Sequence, residues 1–368
     1  ITSLIEEKKR IASELRQLLS RREAERAERD HHARRRPRHC GMTIHTGVGC
    51  SYGCVYCYIW DMGFPGHPTM YPLTPLQLAY ALAINPYVLP RSTMAAYGSV
   101  TEPFLPETRD RALEYVKTIY EWLKLPSQVS TKSILDDELV RKLKEAEPNI
   151  SVLVTIIATG EDARKLEPNA PPVEDRLEAM IEAGKKGLNV AVFMRPIIPG
   201  VTDNHYKGII DKAVDGGVRH IVLGSLRVTK RIISALGTTG VDTGLITQRL
   251  TRKLTDPKKQ VSINTSDLKS MIAGYARSRG MIVHPSACSH NMWSHRIACH
   301  ACSYGPCYTK PRIPDEEELR EAVEILGGRI HNVVVKYPYI VLRGLKGVRK
   351  DVVIELLEAA TKLMVRIE

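Results

Sequence analysis

The chain has 368 residues, too long for a single small module and sufficient for one large α/β domain with appended segments or for two domains. Hydrophobic residues make up 43% and charged residues 26%, which excludes wholesale disorder, and no run approaches the ~18 apolar residues of a membrane span. Fifty-three Lys and Arg against 41 Asp and Glu leave a net charge of +12, which points to a polyanionic partner, nucleic acid ahead of a membrane surface, or to a basic enzyme without one.

Residues 3–30 read as one long helix, with Leu4, Ile5, Ile11, Leu15, Leu18 and Leu19 as a loose apolar stripe and Glu and Arg around it. It runs into Arg34-Arg35-Arg36-Pro37-Arg38, so 1–38 is expected to be a charged helix and arm, either solvated or touching phosphates. This charged start has no apolar h-region, so a secretory signal is not expected and a cytoplasmic location is. Scarce Asn and Gln with many charges lean towards a thermophilic source.

From 39 to 285 short β-branched runs alternate with helical ones. Strands are predicted at 42–46, 94–98, 128–131, 151–158, 190–195, 220–224 and 281–284. Helices are predicted at 75–84, 107–123, 136–146, 172–186, 204–215 and 265–279, several with a usable cap such as Thr74 before Pro75. This is an α/β class, a partial or near-complete TIM-like (β/α) barrel whose chemistry belongs at the C-terminal strand ends. Residues 225–264 interrupt the alternation with Arg227, Lys230, Arg231, Arg249, Arg252, Lys253, Lys258 and Lys259, a basic insertion placed to reach over the barrel mouth. Residues 286–312 form a cysteine-rich segment, and 313–368 read as a small α-β-β-α-β module.

Eight cysteines fall into short-spaced groups, and none lies between Cys57 and Cys288. A long chain without a secretion signal does not suggest a disulfide framework; it suggests metal or cluster ligands. Cys50, Cys54 and Cys57 form C-x3-C-x2-C after a predicted strand, with Gly49 and Gly53 allowing a tight wrap. Three thiolates there can hold three corners of a [4Fe–4S] cube and leave one iron open; a zinc site would need Cys40 or His45 as a fourth ligand. Cys288, Cys299, Cys302 and Cys307 suffice for a second [4Fe–4S] cluster or an all-cysteine zinc site.

The three-cysteine loop opening a β/α barrel resembles the radical SAM superfamily. Within it, Gly49-Cys50-Ser-Tyr-Gly-Cys54-Val-Tyr-Cys57-Tyr58, Val100-Thr101-Glu102-Pro103, Lys165-Leu-Glu167-Pro168 and Pro196-Ile-Ile-Pro199-Gly200 are similar to the spore photoproduct lyase-like, DNA repair photolyase branch. The four-cysteine tail is not a feature associated with the lyase, and Glu102 stands where many relatives have Asp. The resemblance implies a [4Fe–4S] cluster on Cys50, Cys54 and Cys57 that binds S-adenosylmethionine. It places Tyr56 against the adenine, and Gly98, Ser99, Thr101 and Glu102 at the edge that meets the methionyl group. Ser130, Lys132 and Arg195 become candidates for its ribose and carboxylate. Cys40, Tyr58 and Tyr97 are candidates for returning a hydrogen atom to a substrate radical, against ordinary packing roles for each.

The implied activity is reductive cleavage of S-adenosylmethionine to a 5′-deoxyadenosyl radical, which abstracts hydrogen from substrate. Charge, the basic insertion, and Lys336-Tyr337-Pro-Tyr339 with Arg343 in the last module favour nucleic acid, RNA over DNA, as in RNA modification or lesion repair. The second cysteine group favours the alternative of a protein, peptide or small-molecule substrate served by an auxiliary cluster. A non-catalytic, metal-stapled nucleic-acid binder is the reading from another class. An electron donor is a required partner of either enzyme.

Overall fold

The computed structural model describes residues 1–37 and 41–368. Its elements in chain order are α1 (Thr2–Leu18), α2 (Arg21–Arg29), β1 (Met42–Ile44), α3 (Pro75–Ile84), β2 (Ala95–Tyr97), α4 (Arg109–Leu123), β3 (Ser127–Thr131), α5 (Asp137–Ala146), β4 (Ser151–Thr155), α6 (Gly160–Leu166), α7 (Val173–Lys185), β5 (Asn189–Ile197), α8 (Thr202–Asp215) and β6 (His220–Ser225). There follow α9 (Lys230–Thr238), α10 (Thr243–Thr247), α11 (Ser266–Ser278), β7 (Ile282–His284), α12 (Ala287–Ser294), α13 (Glu316–Ile325), β8 (Asn332–Lys336), β9 (Tyr339–Arg343), α14 (Lys350–Thr361) and β10 (Met364–Ile367).

Strands β1 to β7 lie in sequence order in one sheet, and every neighbouring pair is parallel. Among the described residues β1 does not pair with β7, so the barrel is partial. The cause is local: β-branched runs buried on both faces form parallel strands only when each is followed by a crossover helix. Val152, Val154, Val190, Val192, Met194 and Ile221 face the helices and join the main core. The alternate residues Leu153, Ala191, Phe193 and Val222 fill the inside of the sheet, with Ala287 of α12 against them.

The helical coat has readable starts. Thr74 and Gln77 form a reciprocal capping box with Pro75 in the first turn of α3, which is buried from Gln77 to Ala83. The Asp136 side chain caps α5 at the Leu139 N–H, 2.8 Å away.

Two expectations are corrected. The predicted single N-terminal helix is two, because Leu19 is extended and Ser20 with Glu23 starts α2 with its own capping box. It is also no free arm: Ile11, Leu15, Leu19, Ala24 and Ala27 are buried in the main core. Truncating one such residue, Leu15, would cost about 2–5 kcal/mol. The insertion at 225–264 is structured as well, carrying α9, α10 and an antiparallel pairing of Val228 with Val261.

The last module has the expected α-β-β-α-β order, with β9 central, antiparallel to β8 and parallel to β10. It shares its core with Ile5 of α1 and with Tyr87 and Leu89. Buried Lys362 donates to the Ser92 carbonyl, and Arg36 pairs with Glu355 at 2.6 Å. No helix among the described residues is long and apolar enough to cross a membrane.

Candidate active site at the C-terminal ends of the parallel strands

The loop after β1 carries Cys50, Cys54 and Cys57 into one small cluster with Tyr52, Tyr56, Leu105 and Ala170. Its path depends on Gly49 at φ +86°, where a Cβ would sit 2.4 Å from the His67 carbonyl. The segment after α6 clamps the loop through backbone bonds. Val55 N–H donates to Leu166 O at 3.0 Å, Asn169 N–H to Tyr52 O at 3.2 Å, and the Asn169 amide to Ser51 O at 3.0 Å. Burial pushes the Cys50 thiol up and the Cys54 thiol to about 12. Buried thiols gathered this way are costly to ionise unless a metal takes the charge.

Two networks brace the loop. Tyr56 donates its hydroxyl proton to Glu167, whose other oxygen pairs with Arg176; Arg176 also donates to Thr155 O at the end of β4, 2.7 Å away. Glu167 and Arg176 are both fully buried. The second network centres on buried Glu102, which accepts from Thr131, from the Lys132 N–H at 2.9 Å and from Ser133 at 3.3 Å. Ser133 in turn bonds the Tyr52 hydroxyl at 2.8 Å. The Glu102 carboxylate therefore ties the loop after β2 to the end of β3; what that edge can still offer a ligand is backbone and Ser99.

The Lys132 ammonium lies 5.6 Å from the Tyr56 ring centroid. Burial works against its charge, but the Cys54 thiol and the Glu167 and Glu102 carboxylates outweigh that and hold its pKa above the ordinary lysine value. No ion pair within 4 Å neutralises it among the described residues, so a half-buried cation lies within electrostatic reach of the three sulfurs. The Ser99 hydroxyl is buried without a partner among the described residues, and Gly98, at φ +91°, lies so close to β3 that a Cβ would be 2.3 Å from the Ser130 carbonyl. Ser130 Oγ reaches back to Tyr97 O at 3.4 Å, and Thr101 is buried beside Glu102. Arg195 continues the inward face of β5 beyond Phe193 and lies across Gly224, where any Cβ would collide with its side chain.

The predicted hydrogen-atom donors fare differently. The Tyr58 hydroxyl donates to Ser99 O at 2.5 Å, beside the sulfur loop. Tyr97 is a correction: its side chain is buried in the main core, with its hydroxyl towards Ser127 and Glu147, because residue alternation turns it to the helix side of β2. Cys40 lies outside the described residues.

Sequence reasoning expected the insertion over the barrel mouth but missed the contacts that dock it there. Arg231 of α9 pairs with Asp61 at 2.7 Å and donates to the Cys57 carbonyl, and Thr229 bonds Asp61 at 3.0 Å. Asp61, four residues past Cys57, carries no local signal of this role. It also missed Arg176, a fully buried charge in an otherwise ordinary amphipathic helix.

The second sulfur group is elsewhere. Cys288, Cys299 and Cys307 pack with Met94, Met292 and Ile297, and Cys299 and Cys307 exchange backbone bonds of 3.2 and 2.7 Å. Cys302 lies in the turn between those two. Met94 precedes β2 whereas Gly98 follows it, so the two sulfur groups sit at opposite ends of the sheet.

The radical SAM superfamily profile matches residues 44–213. An uncharacterised protein of Acidianus two-tailed virus is 27% identical over 174 residues, 43% of this chain and 56% of that one. A radical SAM Nalpha-GlyT isomerase of Pseudomonas phage M6 is 26% identical over 197 residues, 50% of this chain and 38% of that one. This chain thus spans about half or less of the length of these relatives. Among solved structures, a spore photoproduct lyase variant superposes with a TM-score of 0.54 at 15% identity, covering 66% of this chain and 75% of that one. Another lyase variant, with bound AdoMet and dinucleoside spore photoproduct, gives the same score and identity over 66% and 76%. Profile and fold agree on the same region: the segment 44–213, with its three-cysteine loop and parallel strands, matches the radical SAM superfamily profile and superposes on the lyase fold.

Proposed function

We propose that the chain is a radical SAM enzyme that takes a hydrogen atom from a nucleic-acid substrate. The observation that carries the first half is the trio Cys50, Cys54 and Cys57, gathered at the C-terminal strand ends with Cys54 buried and the other two half-buried, within electrostatic reach of the Lys132 ammonium. Three sulfurs and a cation fit an anionic cluster with one open iron, and the partnerless Ser99 hydroxyl beside the Gly98 cradle fits a polar ligand lying on it. When bound, the [4Fe–4S] cluster supplies the electron that cleaves S-adenosylmethionine.

The chain's own residues do the rest. Lys132 and Ser130 are placed to meet a carboxylate or ribose, and Arg195 stands on the inner face above Phe193, where the substrate approaches. Tyr56, held by Glu167, closes one wall. Arg231 ties the basic insertion onto the cluster loop, a position from which the insertion would help to keep water from a reactive intermediate. Tyr58 is the remaining described candidate for returning a hydrogen atom.

Nucleic acid is favoured by the net charge of +12 and by the open sheet face of the last module. There Arg366 lies 4.1 Å over the Tyr339 ring, with exposed Val334 on β8 and exposed Arg343 further along the strand of Tyr339. RNA is the first substrate to try, with lesion-bearing DNA beside it. The tail cysteines lie at the far end of the sheet, a place suited to relaying electrons or stapling the module and not to gripping a substrate at the mouth.

Anaerobic reconstitution, reduction and chromatography of 5′-deoxyadenosine test the reading. The wild-type chain is expected to form 5′-deoxyadenosine, and Cys54→Ala to form none while remaining folded. Turnover by Cys54→Ala would overturn it.

A further inference from the structure

The floor of the barrel holds three histidines that the proposed chemistry does not use. His220 begins β6, His284 ends β7 and His290 lies on α12, which packs across the N-terminal side of the sheet. They are 9%, 3% and 0% exposed. One ring nitrogen from each lies within 4.8 Å of the other two.

The hydrogen bonds sort the nitrogens. His290 Nδ1 is 2.7 Å from Ser151 Oγ, and His284 Nδ1 is 3.1 Å from Ser289 Oγ. Both rings are thereby oriented with Nε2 turned away from its serine. His284 Nε2 is 2.9 Å from His220 Nδ1. His290 Nε2 is fully buried with no hydrogen-bond partner among the described residues. A buried imidazole nitrogen without a partner costs about 1–3 kcal/mol, and three imidazoles converging in the absence of acid would leave that cost unanswered.

We propose that His220, His284 and His290 form a divalent transition-metal site, best suited to zinc, in the floor of the barrel. Neutral imidazole is the common ligand of this ion, and a tetrahedral zinc at ~2.0 Å from each nitrogen needs nitrogens roughly 3.3 Å apart, a small adjustment from the spacing seen. Ser151 and Ser289 supply the outer hydrogen bonds that fix ring orientation and leave Nε2 to the metal. No proton need leave the protein: the His220–His284 bond is replaced when His220 carries its proton on Nε2. Trp293, its ring 4.0 Å from that of His220, and the apolar layer of Leu153, Ala191, Phe193 and Val222 above keep the site apart from the mouth. A second triad, His31, His32 and His45, also converges, but Arg35 Nη1 lies 3.4 Å from His45 Nε2, and a guanidinium there repels a metal ion.

The site is separable from the sulfur sites by its ligand atoms. Full-length protein purified anaerobically, then equilibrated with zinc and dialysed, is expected to hold zinc in addition to its iron. X-ray absorption at the zinc edge should show nitrogen neighbours at ~2.0 Å, not sulfur alone at ~2.3 Å. His290→Phe, which keeps an aromatic ring beside Trp293, should lose that nitrogen-bound zinc. Ser151→Ala, a smaller change, should weaken it by about 10–100-fold with the thermal midpoint monitored. Zinc absent from the wild type, zinc with an all-sulfur shell, or zinc held equally by the wild type and both variants would overturn the proposal. Loss of 5′-deoxyadenosine formation bears on the proposed enzyme activity and not on this site.

Discussion

At the scale of single residues, the site rests on charges that have given up water. Glu167 and Arg176 are both buried, and each is held by a further group, Tyr56 and the Thr155 carbonyl. Removing one partner leaves the other ionised in an apolar setting. Arg176→Met is therefore expected to destabilise the chain by about 3–5 kcal/mol, measured by denaturant unfolding, whereas the double change Glu167→Leu with Arg176→Met should recover most of it. A single variant as stable as the wild type would mean that the pair does not brace the cluster loop. Gly98 acts at the same scale by absence: only a residue without Cβ lets the β2 end approach Ser130.

At the scale of elements, the short turn His31–Ala33 packs against the end of β1 through a cluster of imidazoles, His32 buried and His31 and His45 half-buried. Burial, with His32 and Arg35 nearby, lowers His31 to about 4 and His45 to about 3, although Asp30 pulls the other way. Tyr71 and Asp30 close the cluster with a bond of 2.6 Å. The unfolded chain takes up these protons near the ordinary value of ~6.5, before the native chain does. Their contribution is thus complete above that value and is lost as pH falls towards 4. The thermal midpoint should drop between about pH 7.5 and pH 5, and His45→Gln should shrink the drop; an unchanged drop would assign it to other groups, the barrel-floor histidines among them. The same element scale explains the insertion: α9 is an amphipathic helix with Ile232 and Leu236 buried, and this packing aims Arg231 at Asp61.

At the scale of the whole molecule, the sheet separates two chemistries. Its C-terminal ends carry the sulfur loop and the basic insertion; its N-terminal ends carry α12, the histidines and the tail cysteines. The last module, tied to α1 through one core, presents Tyr339 and Arg366 on its open face. If that face binds single strands, Tyr339→Ala should cost about 1–3 kcal/mol of affinity for a single-stranded oligonucleotide. Arg366→Ala should lower the salt slope by about 1. Both variants should keep the wild-type thermal midpoint, and unaltered binding in both would move the interface to the insertion.

What the sequence determined by itself was whatever repeats over a few residues. All seven strands appear where β-branched runs were read, the α-β-β-α-β module has its expected order, and the three-cysteine spacing marks its loop, because strand, helix and ligand periodicities are local properties of the chain. The break at Leu19–Ser20 was legible in principle, since Ser20 and Glu23 spell a capping box, but the apolar stripe outweighed it. Only tertiary structure decided the rest. Ser151 meets His290, Cys57 meets Arg231, and Tyr97 turns to the core, through contacts whose partners are remote in sequence or set by strand register. No local pattern encodes which end of the sheet a later segment returns to; that is fixed by how α12 and α9 bury their apolar faces against strands already in place.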